Sequence, residues 1–170
     1  TFGLWGPQFL QDILATDMRG IGAVFSAYFL LGTLAMLGVG ALADRAGRRE
    51  SILIVLLATG AAGFLAAAVF PARAPVATVA MGVGVVAYLA SFPVFWGCVT
   101  PRLVPAAAAA SIALINALAN LGGAVGPAVV GPVKQGLGLA PAITVLGVCM
   151  ALATVFAQLL ARSSPAKSSA

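Results

Sequence analysis

Long apolar runs, separated by short stretches of proline, glycine and charge, make up almost the whole chain. Inside the runs apolar and polar residues do not alternate, which excludes half-buried strands and the strands of a membrane barrel. The runs last about 20 residues, the length an α-helix needs to cross the hydrocarbon core of a bilayer. Five full spans are predicted, over 21–42, 51–70, 76–99, 106–133 and 141–161. Residues 1–10 are apolar but too short to cross, and read as the last turns of a truncated helix. A polar loop at 11–20 follows. Later turns fall at Pro71–Pro75, Thr100–Pro105 and Gln135–Ala140. Pro141 suits the first turn of the last span, and Gly126-Pro127 and Gly131-Pro132 should break or bend the one before it. The Ser-rich stretch 163–170 predicts a disordered tail.

Composition turns this pattern into a fold class. The chain is 62% hydrophobic and 8% charged, with a mean hydropathy of +1.11, whereas a soluble domain is about 25% charged. It cannot cover a water-facing surface, so its expected class is all-α integral membrane, with the bilayer as its solvent. The net charge of +5 is no nucleic-acid footprint, because the basic residues form no stripe interleaved with aromatics. Histidine is absent, and Asp12, Asp17, Asp44 and Glu50 all lie outside the middle of the spans. That argues against an enzyme, a metal site or a cofactor. Cys98 and Cys149 lie inside apolar runs without a CxxC spacing and read as small core residues. The chain starts at Thr1 with no signal-peptide pattern, as expected of a fragment.

The basic residues also predict an orientation. One set of turns carries Arg45, Arg48, Arg49, Arg102, Arg162 and Lys167, and the opposite set only Arg19, Arg73 and Lys134. The positive-inside rule then places the first set and the C-terminus in the cytoplasm, in a plasma membrane.

The most concentrated charge is the hairpin Gly40-Ala-Leu-Ala-Asp44-Arg45-Ala-Gly47-Arg48-Arg49. Asp44 closes a helix, where the macrodipole disfavours an anion by a few tenths to about 1 kcal/mol. It needs compensation from Arg45, Arg48 or Arg49, or from a neighbouring helix N-terminus, and should look partly unpaired in this fragment. Gly40 and Gly47 permit a tight turn and close backbone approach. The pattern G-x-L-A-D-R-x-G-R-R resembles the loop signature of the major facilitator superfamily. That signature lies between the second and third helices and recurs between the eighth and ninth.

Downstream, Phe95-Trp96, Thr100, the run Ala106–Ala110 and Ser111-Ile-Ala-Leu-Ile-Asn116-Ala-Leu-Ala-Asn120-Leu-Gly122-Gly123-Ala-Val-Gly126-Pro127 resemble the tenth and eleventh helices of the anion:cation symporter family. Leu4-Trp5-Gly6-Pro7-Gln8 is similar to the end of that family's seventh helix. Val99 stands where the family usually has proline, and Gly6 where it has leucine, departures that blur the substrate class. The resemblance covers essentially the whole chain and implies the C-terminal six-helix half of a twelve-helix carrier. The implied activity is secondary active transport of small organic anions, such as sugar acids, dicarboxylates or aromatic acids. The coupling cation, a proton or sodium, would be bound mainly by the N-terminal half.

Asn116 and Asn120 are four residues apart and share one helical face with Gly123 and Pro127. Two amides at bilayer depth need partners or a water-filled cavity. They are either interhelical hydrogen-bonding glue or, as the resemblance implies, substrate contacts. Trp96 reads as aromatic belt, and by resemblance as cavity lining. Tyr88 and Phe92, on its face, read as packing residues. Tyr28 matches a P-Y position of related sequences, with Ala27 in place of the proline, and its hydroxyl needs a partner at that depth. Gly126 and Pro127 would let the helix bend as the halves rock, and Gly40, Asp44, Arg45, Gly47 and Arg48 would serve as a conformational switch. No Asp, Glu, Lys, Arg or His lies mid-span in this chain. Two other readings stay open: a carrier of a neutral sugar or drug, and a non-transporting membrane scaffold.

Overall fold

Most of the interruptions in the apolar pattern become helix ends. A computed structural model describes residues 2–163. In chain order the helices are α1 (Phe2–Leu14), α2 (Met18–Ala46), α3 (Arg49–Val69), α4 (Ala74–Val99), α5 (Ala108–Leu137) and α6 (Leu139–Ser163). Two single 3-10 turns, Thr100–Arg102 and Pro105–Ala107, join α4 to α5. The described residues contain no strand, and five of the helices are long and apolar enough to cross a membrane. The protein is all-α, and its class is that of a multi-pass membrane protein.

Local chemistry sets most boundaries. Asp17 accepts from the Gly20 N–H at 3.1 Å and caps α2, satisfying one of the donors a helix N-terminus leaves open. Gly47 ends α2 at φ 63°, a left-handed conformation that a residue with a Cβ adopts only at a cost. Helix α1 runs on through Gln11-Asp12-Ile13 to Leu14, past the predicted limit at residue 10. Phe9, Leu10 and Ile13 are buried there while Gln11 and Asp12 face out, so the polar residues form one side of a helix. Helix α5 is continuous through Pro127 and Pro132, where a break or bend is predicted. Apart from Ser163 at the end of α6, the predicted tail lies outside the described residues.

The core is built around α3, which packs against both α4 and α6, while α2 packs against α4. In lipid no hydrophobic force drives helices together, so close van der Waals contact between small residues does. Gly63 shows how close: a Cβ there would lie 2.6 Å from the Gly84 nitrogen and 2.7 Å from the Ala80 oxygen. Around it Ala61, Ala67, Ala77 and Ala87 are all buried. Across the neighbouring interface the Tyr28 hydroxyl donates to the Thr78 carbonyl at 2.6 Å. At one end of the core Phe2 of α1 packs between Phe25 and Phe64, with ring centroids 5.8 and 5.9 Å away. Helix α5 stands apart, for Val130 and Gly131 are the buried residues along its length.

Adding one methyl at the closest approach should therefore cost stability. We expect Gly63→Ala to destabilise the protein by about 1–3 kcal/mol, the usual range for overpacking. Gly38→Ala, which meets open space in the interior of α2, should be neutral or stabilising, by up to about 1 kcal/mol. Thermal unfolding of the two variants in detergent checks the contrast.

Candidate functional site

At the charged end, two guanidinium groups hold the start of α3 against the end of α4. Arg49 donates through Nε at 3.0 Å to Asp44 Oδ1, with Nη2 2.9 Å from the same oxygen. Its Nη1 donates to the Gly97 carbonyl at 3.2 Å. Arg102 pairs with Glu50 and donates from Nη1 to the Cys98 carbonyl at 3.1 Å. Gly97 and Cys98 lie in the last turn of α4, where open carbonyls and the helix dipole favour cations. Arg49 thus supplies, through Asp44 Oδ1, the compensation that this carboxylate needs. Arg45 and Arg48 are exposed and make no ion pair among the described residues. A Cβ added at Gly40 would meet the Pro93 ring of α4 at ordinary contact distance.

Between α4 and α6, with α3 as its floor, runs an apolar trough. The section beside α1 and α5 encloses about 640 Å³ and is lined by Phe2, Phe64, Tyr88, Phe92, Gly123 and Met150, among others. The section toward the charged end encloses about 420 Å³, shares Tyr88, Phe92 and Met150, and has Glu50 and Arg102 at its rim. Tyr88 and Phe92 meet edge to face at 5.0 Å. Among the described residues no cluster of His, Cys, Asp or Glu could hold a metal ion. What the trough offers is aromatic and aliphatic wall with few polar groups, suited to apolar atoms.

Sequence-predicted site residues separate into two groups. Asn116 and Asn120 are both exposed, with no hydrogen-bond partner among the described residues. They stand on α5 beside the stripe Ala119, Gly122, Gly123 and Gly126 that lines the trough. Leu114, Leu118, Leu121 and Val125 are also exposed and recur at the same helical spacing, on the side of α5 opposite the asparagines. Pro127 is half-buried where α5 begins to pack. Tyr28 and Trp96 are not brought to this place. Tyr28 is buried and its hydroxyl is engaged by α4, while Trp96 packs on Phe95 with ring centroids 5.4 Å apart. The α4 aromatics that line the trough are instead Tyr88, Phe92 and, toward the charged end, Phe95; the first two, expected to be packing residues, are each about two-fifths exposed. The signal available for Tyr88 and Phe92 is their helical spacing, Phe92 one turn and Tyr88 two turns before Trp96.

The hairpin contacts predict an asymmetry among its arginines. Arg49→Ala should lose about 1 kcal/mol, within the range for partly exposed ion pairs and charge-assisted hydrogen bonds, and lower Tm by about 2–4 °C. Arg48→Ala should leave Tm unchanged. A melt of each purified variant decides it.

No family model matches the chain, and no solved structure matches it either. Similarity to curated proteins is modest in identity and long in extent. A "Putative tartrate transporter" of Agrobacterium vitis is 30% identical over 168 residues, covering 97% of this chain and 36% of that protein. A "Putative metabolite transport protein NicT" of Pseudomonas putida is 29% identical over 133 residues, covering 78% of this chain and 30% of its own length. A "Quinolone resistance transporter" of Acinetobacter baumannii is 34% identical over 134 residues, again 78% and 30%. The chain spans about a third of the length of the curated relatives it matches, and those relatives are named as transporters.

Proposed function

We propose that this chain is the C-terminal half of a major facilitator carrier of the anion:cation symporter type, acting on small organic anions such as hydroxy-dicarboxylates. The observation that carries this reading is the alignment of nearly the whole helix array with part of a protein named for tartrate transport. The hairpin Asp44-Arg45-Ala-Gly47-Arg48-Arg49 and the asparagine stripe of α5 support it. In this reading the substrate sits between two halves and is exposed to each side in turn. Asn116 and Asn120 donate amide hydrogens to its carboxylate or hydroxyl groups, and the coupling cation binds mainly in the N-terminal half. The hairpin and the end of α6 face the cytoplasm of a cell whose plasma membrane holds the protein.

One observation favours a second reading. The relative named for quinolone resistance and the apolar trough beside Tyr88 and Phe92 suit a carrier of aromatic, drug-like molecules.

Transport by the full-length protein in proteoliposomes separates the two. With a proton or sodium gradient imposed, tartrate should accumulate, and Asn116→Ala should raise its KM about 10–100-fold, the loss of one hydrogen bond to a charged group. Leu118→Ala should leave KM unchanged. Gradient-driven movement of a quinolone with tartrate inert would replace the first reading by the second, and tartrate uptake indifferent to Asn116→Ala would remove that residue from the site.

A further inference from the structure

Away from the charged hairpin, the end of α5 is held by a single cation. Lys134 is one-fifth exposed, low for an ammonium group, and its Nζ lies 2.8 Å from Asp12 Oδ2 on α1. The same nitrogen stands 5.7 Å from the centre of the Trp5 ring and 5.8 Å from that of Phe9. Those two rings stack with centroids 6.4 Å apart, so the ammonium faces an aromatic wall on one side and a carboxylate on the other. One turn earlier, Gly131 lets α5 lie against Trp5: a Cβ there would be 3.0 Å from Cζ2. Val130 is fully buried beside it. These residues and the packing on α6 anchor α5 at this end, whereas residues 116–125 are exposed throughout.

Lys134 is also in phase with the asparagines. It follows Asn116 by about five turns of 3.6 residues, roughly 27 Å along the axis, and shares the face of Asn120, Gly123 and Pro127. A helix with leucines on one side and amides on the other can present either to lipid, and among the described residues little packing along this length fixes its rotation. We propose that Lys134 is a positioning residue: clamped by Asp12, Trp5 and Phe9, it sets the rotation of α5 so that Asn116 and Asn120 face water and Leu114, Leu118 and Leu121 face lipid. The proposal rests on the reading of Asn116 as a residue of an aqueous pathway. Lys134 itself needs no contact with substrate.

The test uses the full-length protein in membrane vesicles, with every native cysteine, Cys98 and Cys149 among them, replaced by alanine and one cysteine introduced as Asn116→Cys or Leu118→Cys. A water-soluble maleimide reacts with the thiolate, which forms in water and not in lipid. With the clamp intact, labelling at 116 should exceed that at 118 about tenfold or more. Lys134→Met keeps the length of the side chain and removes its charge, and should bring the ratio to within about threefold of unity. Lys134→Arg should preserve the ratio. Asp12→Asn should act like Lys134→Met, and the double variant should be no worse than either alone. A high ratio left intact by Lys134→Met, or lost equally with Lys134→Arg, overturns the positioning role while leaving Asn116 in the pathway. Equal labelling with the clamp intact overturns the placement of the stripe, and the inference with it.

Discussion

Everything in this array depends on how closely α3 can approach α4. Gly63 and Gly84 bring the two backbones to a distance that leaves no room for a single methyl group. Because lipid is as apolar as the side chains, the gain is dispersion between well-fitted surfaces and not release from water. That places small residues where a soluble protein would place leucine. With α3 fixed on α4, α6 packs on the other side of α3, and α2 packs along α4. Tyr28 adds a hydrogen bond whose alternative, a bare hydroxyl in hydrocarbon, is costly.

Helix α5 is outside that arrangement, and this shapes the functional reading. Its two prolines remove backbone hydrogen bonds between the packed end and the exposed length. Exposed asparagines and exposed leucines on opposite faces cannot both be at rest in one environment. A boundary between water and lipid satisfies both. The charged hairpin lies at the other end of the molecule and performs a different task, joining α3 to the last turn of α4 through Arg49 and Arg102. One end of the array is thereby tied by arginines and the other by a lysine on aromatic rings.

Much of the fold was legible in the sequence because its signals are local. Apolar runs of bilayer length and the Gly47 turn each act within a few residues. What was not legible depends on pairing across the chain. No pattern in the sequence indicates that Gly63 meets Gly84, or that Tyr28 spends its hydroxyl on Thr78. The aromatic residues of α4 show the same limit. Tyr88, Phe92 and Trp96 look alike at helical spacing, yet only the first two line the trough, because the packing of α6 on α3 decides which part of α4 is left open. Lys134 read as a loop charge because its partner Asp12 is far away in sequence. The asparagine stripe was legible in its spacing, though which side it faces is a property of the assembled helices.

The central claim is that α5 carries a water-facing amide stripe and a lipid-facing leucine stripe. Spin labels placed one at a time at positions 114–123 of the full-length protein in bilayers would test it most directly, by comparing collisions with a water-soluble relaxation agent and with oxygen. The account predicts two waves with the period of an α-helix and opposite phase. Aqueous contact should peak at 116, 120 and 123, and oxygen contact at 114, 118 and 121. Oxygen contact that is high and flat across all ten positions (114–123) would contradict it.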